Sequence, residues 1–122
     1  MQFASRHYGN VIVAVPSGRI DHAAAAPFEL ALAPLLGNSD ASGLVLDFGS
    51  VDYISSVGLR VLMIAAKQLR ARKARIAVTT LQPVVAEIFK ISRFDAVVEV
   101  FPSLRGALGA LSPEARDAYD AG

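Results

Sequence analysis

The sequence predicts a single α/β domain, because short apolar runs alternate with segments that have the periodicity of a helix. Val11–Val15 is a continuous run of this kind, and Leu44–Asp47 is apolar up to its last residue, which is typical of buried strands. Val57–Arg72 has apolar residues at helical spacing and cations at its far end. The order of elements is ββαβαβαβα, which implies a mostly parallel or mixed sheet with helices packed on it.

The first half of the chain begins with two strands and continues with a helix. A strand is expected over Gln2–Tyr8, and Gly9-Asn10 has the residues of a hairpin turn before Val11–Val15. Pro16–Arg19 is a cluster of turn residues, so the second strand is expected to end before it. Ala24–Leu36 has leucines and Phe28 among alanines and is predicted to be a helix.

The second half repeats the alternation of strand and helix. Gly49–Asp52 is rich in turn residues and is predicted to be a loop before the helix over Val57–Arg72. The later elements are a strand over Arg75–Thr79, a helix over Gln82–Ile91, a strand over Ala96–Val100 and a weaker helix over Phe101–Leu111. The domain is therefore expected to span residues 1–111, with residues 112–122 as a polar tail that frays.

Composition and charge narrow the classes of function. Hydrophobic residues make up 53% of the 122 residues, and the net charge of +1 gives no strong attraction to nucleic acid or to a membrane surface. The chain has no cysteine, which excludes disulfides, thiolate metal sites and cysteine nucleophiles. Met1–Asn10 lacks the apolar segment of a secretory signal, and no apolar run approaches the ~20 residues of a membrane span. A cytoplasmic protein is the expectation.

Two adjacent serines mark the most informative segment, L-V-L-D-F-G-S-V-D-Y-I-S-S-V-G-L-R, which spans Leu44–Arg60. Ser55 and Ser56 stand where the long helix is predicted to begin. A helix N-terminus has unpaired N–H groups and the positive end of the helix dipole, so it favours an anion. One serine is expected to cap the helix, which is worth about 1 kcal/mol, and one is a candidate for phosphorylation. The two interpretations are compatible.

Asp21 and Arg60 are candidate neighbours of these serines. Asp21 follows a predicted strand, and it is either a turn or capping residue or an acidic neighbour of the serine loop. Arg60 lies four residues after Ser56, so it is expected to project near that side chain. It either solvates the helix or pairs with a carboxylate of a partner or with a phosphate.

Enzymatic chemistry is poorly supported by the sequence. Ser56-Val57-Gly58 matches only half of the G-x-S-x-G element of serine hydrolases, because Ile54 occupies the first glycine position. His22 is next in sequence to Asp21, and such neighbours rarely serve together in one triad. The glycine-rich motifs of nucleotide sites are absent from the sequence. We therefore expect no catalytic residue, no cofactor and no metal.

The segment L-V-L-D-F-G-S-V-D-Y-I-S-S-V-G-L-R-V-L resembles the central motif of STAS domains, the fold of bacterial anti-sigma factor antagonists. Gly18–Asp21 is similar to the family's G-x-[LIV]-D turn, Leu81–Phe89 to its third-helix entry and Phe94–Val100 to its last strand. The resemblance covers roughly Val11–Leu111. It implies a single STAS-like domain with a mixed four- to five-stranded sheet and helices packed on one face.

The resemblance also implies a phosphorylation switch. In the antagonists, an anti-sigma factor serine kinase uses ATP to phosphorylate a serine at the start of the second helix. The unphosphorylated protein binds that kinase and frees the sigma factor, and a PP2C-type phosphatase restores it. In this sequence the acceptor falls on Ser56. Many antagonists have an aspartate at the preceding position, where this sequence has Ser55, and this departure makes Ser55 the second choice. The C-terminal ends of the strands and the start of the long helix are expected on one edge of the sheet, which predicts a contiguous partner-binding face of Gly18, Asp21, Asp52, Ser55, Ser56, Gly58, Leu59 and Arg60.

A second reading of the resemblance is a STAS module of another type. Such domains also occur on anion transporters, in stress-sensing assemblies and in bacterial lipid-transport complexes, where they are scaffolds without a required phosphorylation switch. The serine at the acceptor position favours the antagonist. The sequence leaves the kinase, the sigma factor, the phosphatase, the upstream signal and the oligomeric state open.

Overall fold

The computed structural model describes residues 2–122 and confirms the α/β class. Its six strands are β1 Gln2–Tyr8, β2 Val11–Ile20, β3 Gly43–Asp47, β4 Ser50–Ile54, β5 Arg75–Thr79 and β6 Glu99–Phe101. Its helices are α1 Ala25–Leu36, α2 Ser56–Ala71, α3 Pro83–Ile91, α4 Leu104–Leu111 and α5 Pro113–Ala121, with a single 3₁₀ turn at Phe94–Ala96.

The sheet has the order β1-β2-β3-β5-β6, in which only β1 is antiparallel to its neighbour. β4 lies outside this path and pairs in parallel with the last part of β2. β3 pairs with Val11–Ala14 and β4 with Ser17–Ile20, so β3 and β4 follow one another along the same side of β2. The mixed sheet is thus as predicted, with one strand more than the expected four to five.

The additional strand corrects two of the turns that the sequence predicts. Gly49–Asp52 is mostly part of β4, because Val51 and Ile54 are buried and the strand hydrogen-bonds to β2. Pro16–Arg19 is part of β2, and its turn-like composition corresponds to a register shift between Gly18 and Arg19, with Gly18 at φ +95°. β2 therefore extends five residues beyond the predicted end at Val15 and reaches the edge of the sheet at Ile20.

The main core lies between one face of the sheet and helices α1, α2 and α3. Alternate strand residues point to this face and are fully or almost fully buried: Ile12, Ala14, Leu44, Leu46, Ile76 and Val78. Phe28 and Leu32 of α1 and Leu62 of α2 pack against them with no measurable exposure. This core holds the starts of α1 and α2 against the strands that precede them.

The opposite face of the sheet is covered by α4 and α5, which corrects the expectation that the helices pack on one face only. Val13, Val45 and Ala77 point to this side and pack with Ala107 and Leu108 of α4 in a second core cluster. The central strands have apolar residues on both faces, so the sheet requires two covering layers. The continuous apolar runs V-I-V-A-V and L-V-L show this in the sequence, yet they do not say which helix covers which face.

The C-terminal residues form the ordered helix α5 in place of the predicted frayed tail. Ser112 caps this helix by accepting a hydrogen bond from the N–H of Ala115 at 3.2 Å, and Ala115 is fully buried. Tyr119 packs edge-on against Tyr8, with ring centroids 5.4 Å apart. No helix within residues 2–122 is both long and apolar enough to cross a membrane.

Candidate functional site

The two serines at the start of α2 have different structural roles. Ser55 is the N-cap, and its Oγ accepts a hydrogen bond from the N–H of Gly58 at 3.1 Å. Ser56 is the first residue of the helix, and its side chain is exposed. The hydroxyl of Ser55 is therefore engaged within the protein, whereas Ser56 is exposed to solvent. This geometry favours Ser56 over Ser55 as the position that an external enzyme can reach.

The position of Ser55 and Ser56 is fixed by close packing of α2 on the ends of two strands. The N–H of Ser55 donates to the carbonyl of Ile20 at 2.8 Å. A Cβ atom at Gly58 would lie 2.8 Å from Cγ2 of Ile20 and 2.8 Å from Cγ1 of Ile54, which is closer than carbon atoms normally approach. Glycine at this position thus lets the first turn of α2 rest directly on β2 and β4, and it determines where the serines stand.

Asp21 lies beside the serines for a topological reason. Ile20 and Ile54 are register partners at the ends of β2 and β4, so Asp21 and Ser55 are the next residues on two neighbouring parallel strands. The carboxylate of Asp21 accepts a hydrogen bond from the N–H of Ala24 at 2.9 Å, just before α1 begins. Asp21 therefore has both of the roles that the sequence left as alternatives. It accepts a hydrogen bond at the turn before α1, and it lies beside the serine loop.

The other predicted partner-binding residues divide by exposure. Gly18, Asp52 and Arg60 are exposed, and with Ser56 they can meet a partner directly. Gly58 and Leu59 are buried, with Leu59 only 8% exposed in the main core. These two residues shape the site from beneath, and we do not expect them to make direct contacts with a partner.

A stacked pair at the same edge was not anticipated from the sequence. The guanidinium of Arg19 lies 4.5 Å from the centre of the Tyr53 ring, and the two residues are register partners on β2 and β4. Arg19 is exposed, and each member lies two residues before Asp21 or Ser55. The sequence indicates this pair only through the equal spacing of Arg19 from Asp21 and of Tyr53 from Ser55, and that spacing is informative only when β4 is known to pair with β2.

The charges around Ser56 are mostly positive along α2. Helix α2 contains no acidic residue, so the positive end of its dipole and Arg60 are the charges nearest to Ser56 along the helix. Within residues 2–122, no group of three or more histidine and acidic side chains could hold a metal ion. The arrangement presents an exposed serine and exposed polar residues on one edge of the sheet.

Comparison with known proteins identifies the family. A family model described as the STAS domain matches residues 2–107. The chain belongs to the STAS domain family. BtrV of Bordetella bronchiseptica, which is named as an anti-sigma factor antagonist, is 37% identical over 100 residues that cover 82% of this chain and 85% of BtrV. The sequence resemblance to STAS domains of anti-sigma factor antagonists is thereby confirmed.

Solved structures agree with this assignment. An anti-sigma factor antagonist from Mycobacterium paratuberculosis superposes with a TM-score of 0.82 at 25% identity, covering 90% of this chain and 92% of that one. SpoIIAA of Bacillus, solved in its phosphorylated form, superposes with a TM-score of 0.68 at 14% identity, covering 91% of this chain and 100% of that one. The likeness to SpoIIAA at this identity concerns the fold alone.

Proposed function

We propose that this STAS domain is an anti-sigma factor antagonist that acts as a phosphorylation-controlled switch. In its unphosphorylated form it binds an anti-sigma factor kinase, and phosphorylation of Ser56 ends that binding. The observation that carries the proposal is the exposed hydroxyl of Ser56 at the first residue of α2, beside a neighbour whose hydroxyl already caps the helix. The name of BtrV and that of the mycobacterial relative support the same function.

In this proposal the chain supplies the acceptor, and the kinase supplies the catalysis. Oγ of Ser56 attacks the γ-phosphorus of ATP, an O–P bond forms, and the bond from that phosphorus to the β-bridging oxygen breaks to release ADP. A base of the kinase accepts the hydroxyl proton. The chain itself is not expected to be an enzyme, and a PP2C-type phosphatase would hydrolyse the phosphoserine to restore the binding form.

Phosphorylation at this position changes the surface rather than the fold. A phosphoserine brings about −1.5 to −2 charges and three acceptor oxygens. The start of α2 tolerates this charge, because the helix dipole and the unpaired N–H groups of the first turn stabilise an anion. A partner that places carboxylates against this edge would be repelled. The switch therefore acts on the docking surface formed by Gly18, Asp21, Asp52, Ser56 and Arg60.

The test is mass spectrometry of the chain after incubation with its cognate kinase and ATP. We expect one phosphate on Ser56 in the wild-type chain and in Ser55→Ala, and none in Ser56→Ala. Phosphate on Ser55 alone would move the site by one residue. A chain that binds the kinase but is phosphorylated on neither serine would contradict the switch and would favour a scaffold role in a transport or stress-sensing assembly.

A further inference from the structure

Helix α1 has an unusual surface for a helix at the outside of a protein. Glu29 is its only charged residue, and Leu30 is 74% exposed. The exposed positions of α1 are Ala26, Pro27, Glu29, Leu30, Ala33 and Pro34. Surface helices normally pair an apolar inner stripe with a polar outer face, and a helix that is apolar on all sides is usually buried. α1 thus has an outer face that is suited to being covered.

A groove runs between α1 and α2 along this apolar face. Its larger part has a volume of about 430 Å³, and Leu32, Leu36, Val61 and Ala65 contribute to its lining. A second hollow of about 340 Å³ shares Val61 with it and extends to Val57 in the first turn of α2. The groove therefore begins beside Ser56 and continues along the helices, and it is adjacent to the proposed phosphorylation site.

The two sides of the groove differ in charge, because Glu29 of α1 lines both hollows and Arg60 of α2 lines the hollow nearest Ser56. The outer face of α2 has Arg60, Lys67 and Arg70 as its charged residues and no acidic residue to balance them. Arg70 is engaged by the carbonyl of Val97, which leaves Arg60 and Lys67 facing the solvent. Met63 and Ile64, which are 37% and 40% exposed, add apolar surface to the same helix.

We infer that the face formed by α1 and α2 docks an amphipathic helix of the partner kinase, one that is apolar along its centre and acidic along the edge that meets Arg60 and Lys67. The groove extends from Val57 to Gln68, about 16 Å along α2, which matches roughly three turns of a helix. This inference rests on the proposed function. It also supplies a reason for release, because a phosphate on Ser56 places negative charge on the α2 edge, where the acidic edge of the partner helix would lie.

The experiment uses the purified kinase that phosphorylates the chain, with a non-hydrolysable ATP analogue so that the antagonist is not consumed. Isothermal titration calorimetry compares the wild-type chain with Leu30→Gln and Ile64→Gln. The matched control is Ile91→Gln, because Ile91 on α3 is 74% exposed, the same fraction as Leu30. We expect both Leu30→Gln, on the exposed face of α1, and Ile64→Gln, in the lining of the groove, to raise the Kd about tenfold, and the control to leave it within about twofold.

A charge reversal tests the acidic edge of the partner. Lys67→Glu is expected to raise the Kd several-fold, whereas Lys90→Glu at the exposed end of α3 is not. Circular dichroism melting of every variant checks that folding is unchanged, as these are exposed positions. Velocity sedimentation of the antagonist alone reports whether the face instead joins two copies of this chain.

The outcomes separate the inference from the function on which it rests. If the wild-type chain binds the kinase and is phosphorylated, but Leu30→Gln and Ile64→Gln bind equally well, the inference is wrong and the proposed function stands. A dimer that these variants dissociate without changing the Kd for the kinase would likewise overturn it. If the wild-type chain neither binds nor is phosphorylated by any kinase, the proposed function fails and the inference fails with it.

Discussion

The two faces of the sheet use their charged residues in opposite ways. On the face covered by α4 and α5, Nε of Arg75 donates to Glu99 at 2.9 Å, and Arg105 makes two hydrogen bonds of 2.9 and 3.0 Å to Asp120. Arg60 and Lys67 lie on the side of α1 and α2, and they take part in none of the ion pairs within residues 2–122.

This difference separates a side of the molecule whose charged residues pair with one another from a side whose cations do not. The pair of Arg105 and Asp120 joins α4 to α5, and apolar residues of both helices pack against the sheet. The α1 and α2 side has exposed leucine, methionine and isoleucine together with Arg60 and Lys67, which form no ion pair with any residue of the range 2–122. Such a combination is typical of a surface that another protein covers.

The largest expected effect comes from the tight packing beneath the serines. Gly58→Ala should lower the free energy of unfolding by about 1–3 kcal/mol, because the new Cβ would lie 2.8 Å from side-chain carbons of Ile20 and Ile54. This loss opposes the preference of alanine for helices, which is worth about 1 kcal/mol. The control is Gly37→Ala, where the nearest atom to a new Cβ is 3.7 Å away. Urea denaturation of both variants measures the difference, and equal stability would show that α2 is not held as closely as the structure indicates.

The second prediction concerns charge on the exposed side of the comparison. Ser56→Asp should weaken binding to the kinase about tenfold, whereas Ser56→Ala should bind like the wild-type chain, because only the aspartate introduces a negative charge. Aspartate carries less charge than phosphoserine, so full phosphorylation should weaken binding further. Calorimetry with the three chains gives the Kd values. Equal affinity of the aspartate variant and the wild-type chain would argue against a switch that acts through charge.

The neighbouring serine should affect stability rather than regulation. Ser55→Ala removes the hydroxyl that accepts the N–H of Gly58 and should lower the free energy of unfolding by about 1 kcal/mol. Ser56→Ala has an exposed side chain with no capping role, and it should stay within about 0.5 kcal/mol of the wild type. Ser55→Ala should therefore change stability and leave phosphorylation intact, whereas Ser56→Ala should abolish phosphorylation and leave stability nearly unchanged. A larger loss of stability in Ser56→Ala would reverse the roles that the structure gives these serines.

The two serines could be predicted from the sequence, whereas the strand β4 that positions them could not. A hydroxyl at a helix start after a buried strand is a local pattern, so Ser55 and Ser56 could be found without any knowledge of the fold. The strand β4 could not, because Gly49–Asp52 has the composition of a turn and forms a strand only through hydrogen bonds to β2. The stacking of Arg19 on Tyr53 depends on that pairing and was missed with it.

The C-terminal helix was missed for a related reason. Residues 112–122 are polar overall, and α5 is stabilised by contacts with distant residues, such as that of Tyr119 with Tyr8. Local propensity does not report these contacts. The same reasoning applies to the second face of the sheet, since the strands show that a covering layer is needed, whereas only the tertiary structure shows that α4 and α5 provide it.

The smallest expected effect tests the side of the molecule whose charged residues pair with one another, where Arg105 binds Asp120. The hydrogen bond from Arg105 lowers the pKa of Asp120 from its ordinary value of 3.8. A carboxyl group with a lowered pKa in the folded state contributes stability that is present above its unfolded pKa and is lost as the pH falls through the folded pKa. Both groups are solvent-exposed, so the contribution is small and is screened by salt.

Asp120→Asn should therefore lower the melting temperature slightly at pH 7, by less than Ser55→Ala does, and the difference from the wild type should shrink as the pH falls through the lowered pKa of Asp120 in the folded state. Asp117→Asn is the matched control, because Asp117 is more exposed and lies 3.9 Å from Arg116. Melting curves at pH 7 and at acidic pH, recorded in low salt, measure both variants. Kinase affinity should be unchanged in Asp120→Asn, since α5 is on the face opposite α1 and α2. A loss of affinity equal to that of Ser56→Asp would mean that the two faces are coupled and that the separation drawn between them is wrong.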